Sequence, residues 1–349
     1  MPAAFALYST KVCNCRHVQR MKQEYINEDD IMPQCSLIHS RRAGAGLAPT
    51  IQDYIEAALA DRTRHEYRAD LRRFLAWGGT LPAAPELIAA YLAAHAASHA
   101  TATLQRWLVS LGRAHSAQGL PDPTKTDLVR TACKGIRRRH GRPQRRVAPV
   151  VHADLVAMLR ELDDSPRGLR DRALLLLGFA GALRRAELVG LQLDDLTFSE
   201  AGLTVRLRRS KTDPDGRGRL IGIPFARDPR LCAVRAVRAW LGRLAPAAPT
   251  TTPAAPLFRA VNRHGQIAAQ ALTGRAVALL VKERCARAGL DPTRYAGHSL
   301  RAGFCTAAAL AGKPNWQIRK QSGHQTEAML NRYIRDGRLF ADNALAGLL

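Results

Sequence analysis

The sequence predicts a mainly α protein with a small β-sheet, divided into an all-α N-terminal domain and an α+β C-terminal domain. Three observations carry that expectation. Apolar residues recur at helical spacing through most of 47–137, a short β-rich stretch is confined to 193–223, and the charged run RRRHGRPQRR (137–146) separates the two. A chain of 349 residues with 46% apolar content is long enough to bury two cores. The boundaries read as an N-terminal extension at 1–46, a helical domain at 47–137, a basic linker at 138–150 and a second domain at 151–349. The end of that second domain, about 337–349, reads as a helix suited to docking.

Residues 1–46 have no sustained periodicity, carry the acidic cluster Glu28 to Asp30 and end in RRAGAG, which predicts a poorly ordered arm. The first helix is expected to open on a capping box formed by Thr63 and Glu66. Its apolar stripe is Tyr67, Leu71, Phe74 and Leu75, and Gly78-Gly79 stops it. Leu87, Ile88, Tyr91 and Leu92 mark a second helix. Leu104, Leu108, Leu111 and His115 mark a third, closed by Gly119 and the PDP turn, and Asp127 to Ile136 gives a fourth. In the second domain a helix covers 152–162, and Ser165-Pro166 caps the next. The run RALLLLGFAGAL (172–183) is apolar nearly all round, as a buried central helix requires. Leu193 to Phe198, Leu203 to Arg208 and Arg219 to Ile223 read as strands. Helices resume at 230–244, 273–288, 299–311, 315–322 and 325–333, with a Pro/Ala/Thr loop at 245–256. The tail carries Leu339, Phe340, Leu345, Leu348 and Leu349 on a segment too short to bury them alone.

Charge narrows the function. Lys and Arg number 53 against 29 Asp and Glu, a formal +24, which points to a polyanionic partner and most simply to nucleic acid. Arg137, Arg138, Arg139, Arg142, Arg145 and Arg146 in the linker would each neutralise a phosphate, or else form a solvated charged run. Seven cysteines at irregular spacing suit reduced thiols. Cys13 and Cys15 are one residue apart, which is not zinc-ligand spacing, so no metal is expected. No Walker-type loop or Mg²⁺-binding carboxylate cluster stands out, so no cofactor is expected either. No apolar run approaches the roughly 20 residues of a membrane span, and no secretory signal is visible; the expected location is the cytoplasm.

The chemistry concentrates in GALRRAEL, around Arg184, and in GHSLRAGFCTAAALAGKPNWQIRKQSGHQTEAMLNRYIR, which holds His298, Arg301, His324 and Tyr333. Two arginines, two imidazoles and a phenol could surround one phosphate. Arginine suits this role because its planar fork donates paired hydrogen bonds and stays charged. Each residue alone has a plainer reading: a tyrosine on an apolar helix is usually core, and an arginine in so basic a chain is usually solvated. Arg185 competes with Arg184, but the spacing to Glu187 favours Arg184.

GHSLRAGF, then GH, then a tyrosine nine residues later resembles the second signature box of the tyrosine recombinases (phage integrases), and GALRRAEL resembles the first. The resemblance covers roughly 47–349. The PDPT and GIRR runs resemble the SAM-like core-binding domain of Cre-like and Xer-like recombinases, and 151–349 resembles their catalytic domain. It implies that Arg184, His298, Arg301, His324 and Tyr333 occupy catalytic positions, that Lys211 in SKTDPDG is the hairpin lysine, and that Glu187 supports Arg184. It further implies a site-specific recombinase for DNA integration, excision or resolution. Tyr333 would attack the scissile phosphate to give a 3′-phosphotyrosine, the two arginines would hold the non-bridging oxygens, and His324 would donate a further hydrogen bond. Lys211 would protonate the leaving 5′-oxygen and His298 would take the tyrosine proton. One phosphate ester replaces another, so neither ATP nor metal is required. The implied partners are double-stranded DNA with specific sites and a homotetramer of the chain on that DNA, monomeric or dimeric when free. Accessory proteins are compatible with this, and a phage, plasmid or nucleoid-associated role remains open. Two alternatives stand: a type IB topoisomerase-like relaxing enzyme, and a non-catalytic DNA-binding protein.

Overall fold

The computed structural model describes residues 54, 58–143, 146–208, 218–247, 252 and 254–337. The N-terminal extension, Arg145, the segment carrying Lys211 and the C-terminal tail from 338 lie outside the described residues. The described residues are mainly helical with two small antiparallel sheets, and the chain divides into two compact units, Met1–Gln144 and Arg145–Leu349. No described helix is long and apolar enough to cross a membrane.

The first unit contains α1 (Asp61–Trp77), α2 (Pro85–His95), α3 (Thr101–Ser116) and α4 (Asp127–His140). Leu71, Phe74, Ile88, Tyr91, Trp107 and Leu111 fill its core, with Phe74 and Tyr91 edge to face at 5.1 Å. Two expectations are corrected here. The Thr63–Glu66 capping box does not form. α1 begins at Asp61, whose carboxylate suits the positive end of the helix dipole, and Glu66 pairs instead with Arg106 of α3. The basic segment is not all linker, because α4 continues through Arg137, Arg138, Arg139 and His140. Cations in a last turn complement the carbonyl end of a helix, which offsets their mutual repulsion. Arg137, Arg138, Arg139, Arg142 and Arg146 are all exposed.

The second unit is built around α6 (Pro166–Ala180). Ser165 caps it by accepting from the Gly168 amide, and Pro166 occupies its first position. Leu174 to Leu177 are buried on every side, each contributing about 1.5–3 kcal/mol by burial alone. α5 (His152–Arg160) precedes α6, and α7 (Arg185–Val189) follows it after a turn. Strands β1 (Leu196–Phe198), β2 (Gly202–Leu207) and β3 (Arg219–Pro224) form one antiparallel sheet in chain order, with Leu203 opposite Ile223 and Val205 opposite Ile221 on the buried face. α8 (Ala233–Ala247) packs along α6, and Trp240 within it donates to the Leu257 carbonyl at 2.8 Å. A hairpin that the sequence reading missed follows: β4 (Arg259–Val261) and β5 (Ile267–Ala271). The remaining helices are α9 (Gly274–Arg287), α10 (Ser299–Leu310), α11 (Asn315–Ser322) and α12 (Glu327–Gly337).

One buried ion cluster ties α6 to α9. Asp171 accepts from Arg170 at 2.9 Å and 2.5 Å on one carboxylate oxygen, and from Arg284 at 3.1 Å and 2.6 Å on the other. All three side chains are buried. Asp171→Ala would strand two desolvated guanidiniums, and breaking a buried ionic group costs about 3–5 kcal/mol. Denaturant unfolding should register a loss of that size.

Candidate active site

The site forms where four local structures meet: the turn between α6 and α7, the start of β3, the first turn of α10, and the corner joining α11 to α12. The α6–α7 turn is tight because Ala182 adopts a left-handed backbone with φ of 47°, a conformation uncommon for a residue with a Cβ. Its carbonyl is thereby aimed at Arg301, whose Nη1 donates to it at 2.6 Å and also donates to the Ser322 carbonyl. Backbone strain is retained here because it serves a buried cation.

Arg184 sits at the cap of α7. Glu187, three residues on, accepts from the Arg184 backbone amide at 2.9 Å and from its Nη1 at 2.6 Å, so one carboxylate caps the helix and holds the guanidinium. Arg184 Nη2 donates to the Gly323 carbonyl at 3.3 Å. Arg185 turns elsewhere: a Cβ at Gly297 would stand 2.7 Å from its Cδ, so that glycine leaves room for the Arg185 stem. Of the two arginines, Arg184 is the one that stands with Glu187 and the Gly323 carbonyl.

Arg301, on α10, is only 3% exposed, and its Nη2 is buried with no hydrogen-bond partner among the described residues. Burial, reinforced by the like charge of Arg184, pushes its pKa down to about 10. His324 is 5% exposed, and its Nδ1 lies 2.8 Å from Ser322 Oγ. Burial, followed by Arg301, Arg184, Arg219 and Arg319, depresses its pKa to about 3, so the imidazole is neutral at neutral pH. The His324 ring lies 5.4 Å from that of Tyr333, which is half-buried on α12 against a small cluster of Cys305, Ala309, Ile318 and Leu330. The corner between α11 and α12 turns on Gly323 in the left-handed region, φ 67°, which a side chain would strain.

Of the expected residues, Arg184, Glu187, Arg301, His324 and Tyr333 converge. His298 is exposed at the cap position of α10, three residues before Arg301. Lys211 lies outside the described residues, between β2 and β3 in the sequence.

Two participants were not anticipated. Arg219, the first residue of β3, donates to the Gln321 carbonyl at 2.7 Å and to those of Lys320 and Ser322 at 3.4 Å. It stands 3.7 Å from Glu187. It therefore caps the carbonyl end of α11 and joins the same cationic cluster, with its own pKa lowered mainly by burial. Ser322 contacts His324 directly. No sequence signal separates Arg219 from the many other arginines, and Ser322 carries no motif.

The arrangement suits an anion: three guanidiniums, two of them with a buried donor that has no partner among the described residues (Arg301 Nη2 and Arg219 Nε), beside a neutral imidazole and a phenol. The sequence matches the phage integrase family over residues 150–338. An integrase/recombinase XerD homologue of Selenomonas ruminantium is 39% identical over 301 residues, covering 83% of this chain and 86% of its own. A tyrosine recombinase of Synechococcus elongatus is 31% identical over 299 residues, covering 81% and 87%. The solved structure of the XerH site-specific recombinase bound to a palindromic difH substrate shares the fold, with a TM-score of 0.62 over 95% of this chain and 92% of that one at 15% identity.

Proposed function

The chain belongs to the phage integrase family and is a tyrosine-type DNA strand transferase, and on that premise we propose that Tyr333 cleaves and rejoins duplex DNA through a 3′-phosphotyrosine. The observation that carries this assignment is Arg301. Folding a guanidinium to 3% exposure beside a second one, and leaving its Nη2 without a partner, is costly unless an anion arrives to complete it. A phosphodiester meets that need. Its non-bridging oxygens gain charge in the five-coordinate transition state, where fixed donors stabilise it most. Arg184 and Arg301 take those oxygens, Glu187 holds Arg184 in place, and His298 and His324 supply the imidazoles. Lys211, on the turn between β2 and β3, protonates the departing 5′-oxygen.

The exposed arginines Arg137, Arg138, Arg139, Arg142 and Arg146, with Arg145, bind the phosphate backbone of the target duplex in a salt-sensitive, sequence-independent manner. Four protomers act on two DNA sites, with the apolar tail beyond 337 packing on a neighbour, while the free protein is a monomer or dimer. The enzyme works in the cytoplasm, on chromosomal, phage or plasmid DNA, with or without accessory proteins.

The test is a plasmid carrying two copies of the DNA segment that the purified protein protects from nuclease. Deletion or inversion between the copies, with junctions inside the protected segment, is expected. Relaxation of the plasmid at scattered positions without exchange would overturn the recombinase reading in favour of topoisomerase chemistry.

A further inference from the structure

The carbonyl end of α11 is held by arginines from three different elements. Arg184, at the start of α7, donates to the Gly323 carbonyl at 3.3 Å, and Arg301 of α10 donates to that of Ser322. Arg219 of β3 takes the largest share. Its Nη1 donates to the Gln321 carbonyl at 2.7 Å and to that of Lys320 at 3.4 Å, and its Nη2 donates to that of Ser322 at 3.4 Å. Nη2 also stands 3.7 Å from Glu187 Oε2, the oxygen that accepts from the Arg184 amide. A guanidinium has five N–H donors, four of them on its two terminal nitrogens. Here those four are directed at four protein acceptors. The fifth, on Nε, is buried against Gly323, where a Cβ would stand 3.1 Å from Nε and 2.9 Å from Cζ. Arg219 therefore has no donor left for a phosphate, unlike Arg301, whose Nη2 is unpartnered among the described residues.

That difference separates its task from theirs. Arg184 and Arg301 lean on the corner with the same forks that a bound phosphate would draw on. Arg219 makes a tie for which the substrate does not compete. Gln321 supplies a second. Its Nε2 donates to the Ala180 carbonyl at the end of α6 at 2.8 Å and to the Gly222 carbonyl of β3 at 3.4 Å. β3 and the corner are thus joined in both directions, one side chain from each reaching the backbone of the other. Gly323, against which Arg219 packs, immediately precedes His324, and α12 with Tyr333 follows.

We propose that Arg219 is a positioning residue for strand cleavage: it keeps the α11–α12 corner, and with it His324 and Tyr333, in register with Arg184 and Glu187 while Arg184 and Arg301 engage the phosphate. The inference rests on the reading of Tyr333 as nucleophile, and it adds a residue that touches neither the DNA nor the reacting atoms. The size of the effect follows from geometry, since a reacting group misplaced by about 1 Å can lose about 10²-fold in rate.

Two readouts on the full chain decide the matter. They use Arg219→Met, which keeps an apolar stem without a donor, and Arg219→Lys, which keeps the charge without the fork. In amide hydrogen exchange of the free protein, the segment 323–333 should exchange about 10-fold faster in Arg219→Met, with α1 to α4 unchanged. Unchanged exchange in that segment would overturn the proposal, and this readout does not depend on activity. Single-turnover adduct formation on a nicked duplex should fall by about 10²-fold in both variants, with DNA affinity unchanged. The deficit should persist on a duplex whose scissile phosphate carries a methyl group in place of one non-bridging oxygen, whereas that of Arg301→Met should shrink. Recovery in Arg219→Lys, or on the methylated phosphate, would make Arg219 a charge acting on the phosphate and overturn the proposal, as would wild-type rates. Should Arg219→Met fail to fold, Arg219→Lys carries both readouts with the same outcomes expected. Absence of any adduct in the wild type would instead sink the nucleophile reading, leaving the exchange measurement to judge Arg219.

Discussion

Tyr333→Phe is expected to form no covalent adduct with DNA while folding and binding DNA as the wild type does. The phenolic oxygen is the bond-forming atom, and removing an enzyme nucleophile costs on the order of 10⁶-fold in turnover. Nothing else in the site compensates, because the neighbouring Arg301 and His324 side chains carry no hydroxyl that could form the ester. The fold should tolerate the change. Tyr333 is half-buried at the edge of a small apolar cluster, and a phenyl ring preserves its packing there. Gel-resolved protein–DNA adduct on a nicked substrate, with mobility shift for binding and thermal unfolding for stability, separates these effects. An unchanged adduct in the variant would remove Tyr333 from its role.

Arg301→Met is expected to reduce single-turnover cleavage by about 10³- to 10⁵-fold, the range found when an arginine that stabilises a phosphoryl transition state is removed. Stability should change far less, because two opposing effects nearly cancel. The Ala182 and Ser322 carbonyls lose their donor, at about 1–3 kcal/mol for an unsatisfied buried group. Against this, the buried cation beside Arg184 disappears. A fall in pKa from the ordinary guanidinium range to about 10 means that the charged form is disfavoured in the folded protein by roughly 3 kcal/mol. The sign follows from linkage. Since the folded pKa lies below the unfolded one, the penalty is fully present below about pH 10 and is relieved only as pH rises toward the unfolded value. Across neutral pH the wild type therefore carries strain that methionine does not. Arg301→Lys should rescue little, since an ammonium cannot span Ala182, Ser322 and a phosphate with one planar fork. Cleavage rates alongside denaturant midpoints at pH 7 check both halves. A variant that cleaves normally, or that fails to fold, would contradict the balance described.

Local patterns made much of this protein legible. Ser165-Pro166 and the leucine run specified α6 because cap and burial both act within one helix. Arg184 and Glu187 were readable as a pair because they are three residues apart and the same spacing caps α7. The β4–β5 hairpin was not visible. IAAQA has little of the β-branched or aromatic character that marks strands, and its pairing depends on contacts with the rest of the unit. Thr63 and Glu66 matched a capping pattern, yet Arg106, forty positions away, captured Glu66. The site followed the same division. Its motif residues were visible, whereas Arg219 and Ser322 matter through contacts made between β3 and the α11–α12 corner or across one buried turn. The orphaned Nη2 of Arg301 is a property of burial that no spacing records.

The most direct test of the central claim is to trap the wild-type protein on a nicked duplex, digest the adduct and locate the modified residue by mass spectrometry. A 3′-phosphonucleotide on the peptide containing Tyr333 is the predicted result. An adduct on any other residue, or DNA cleaved with no protein attached, would contradict it.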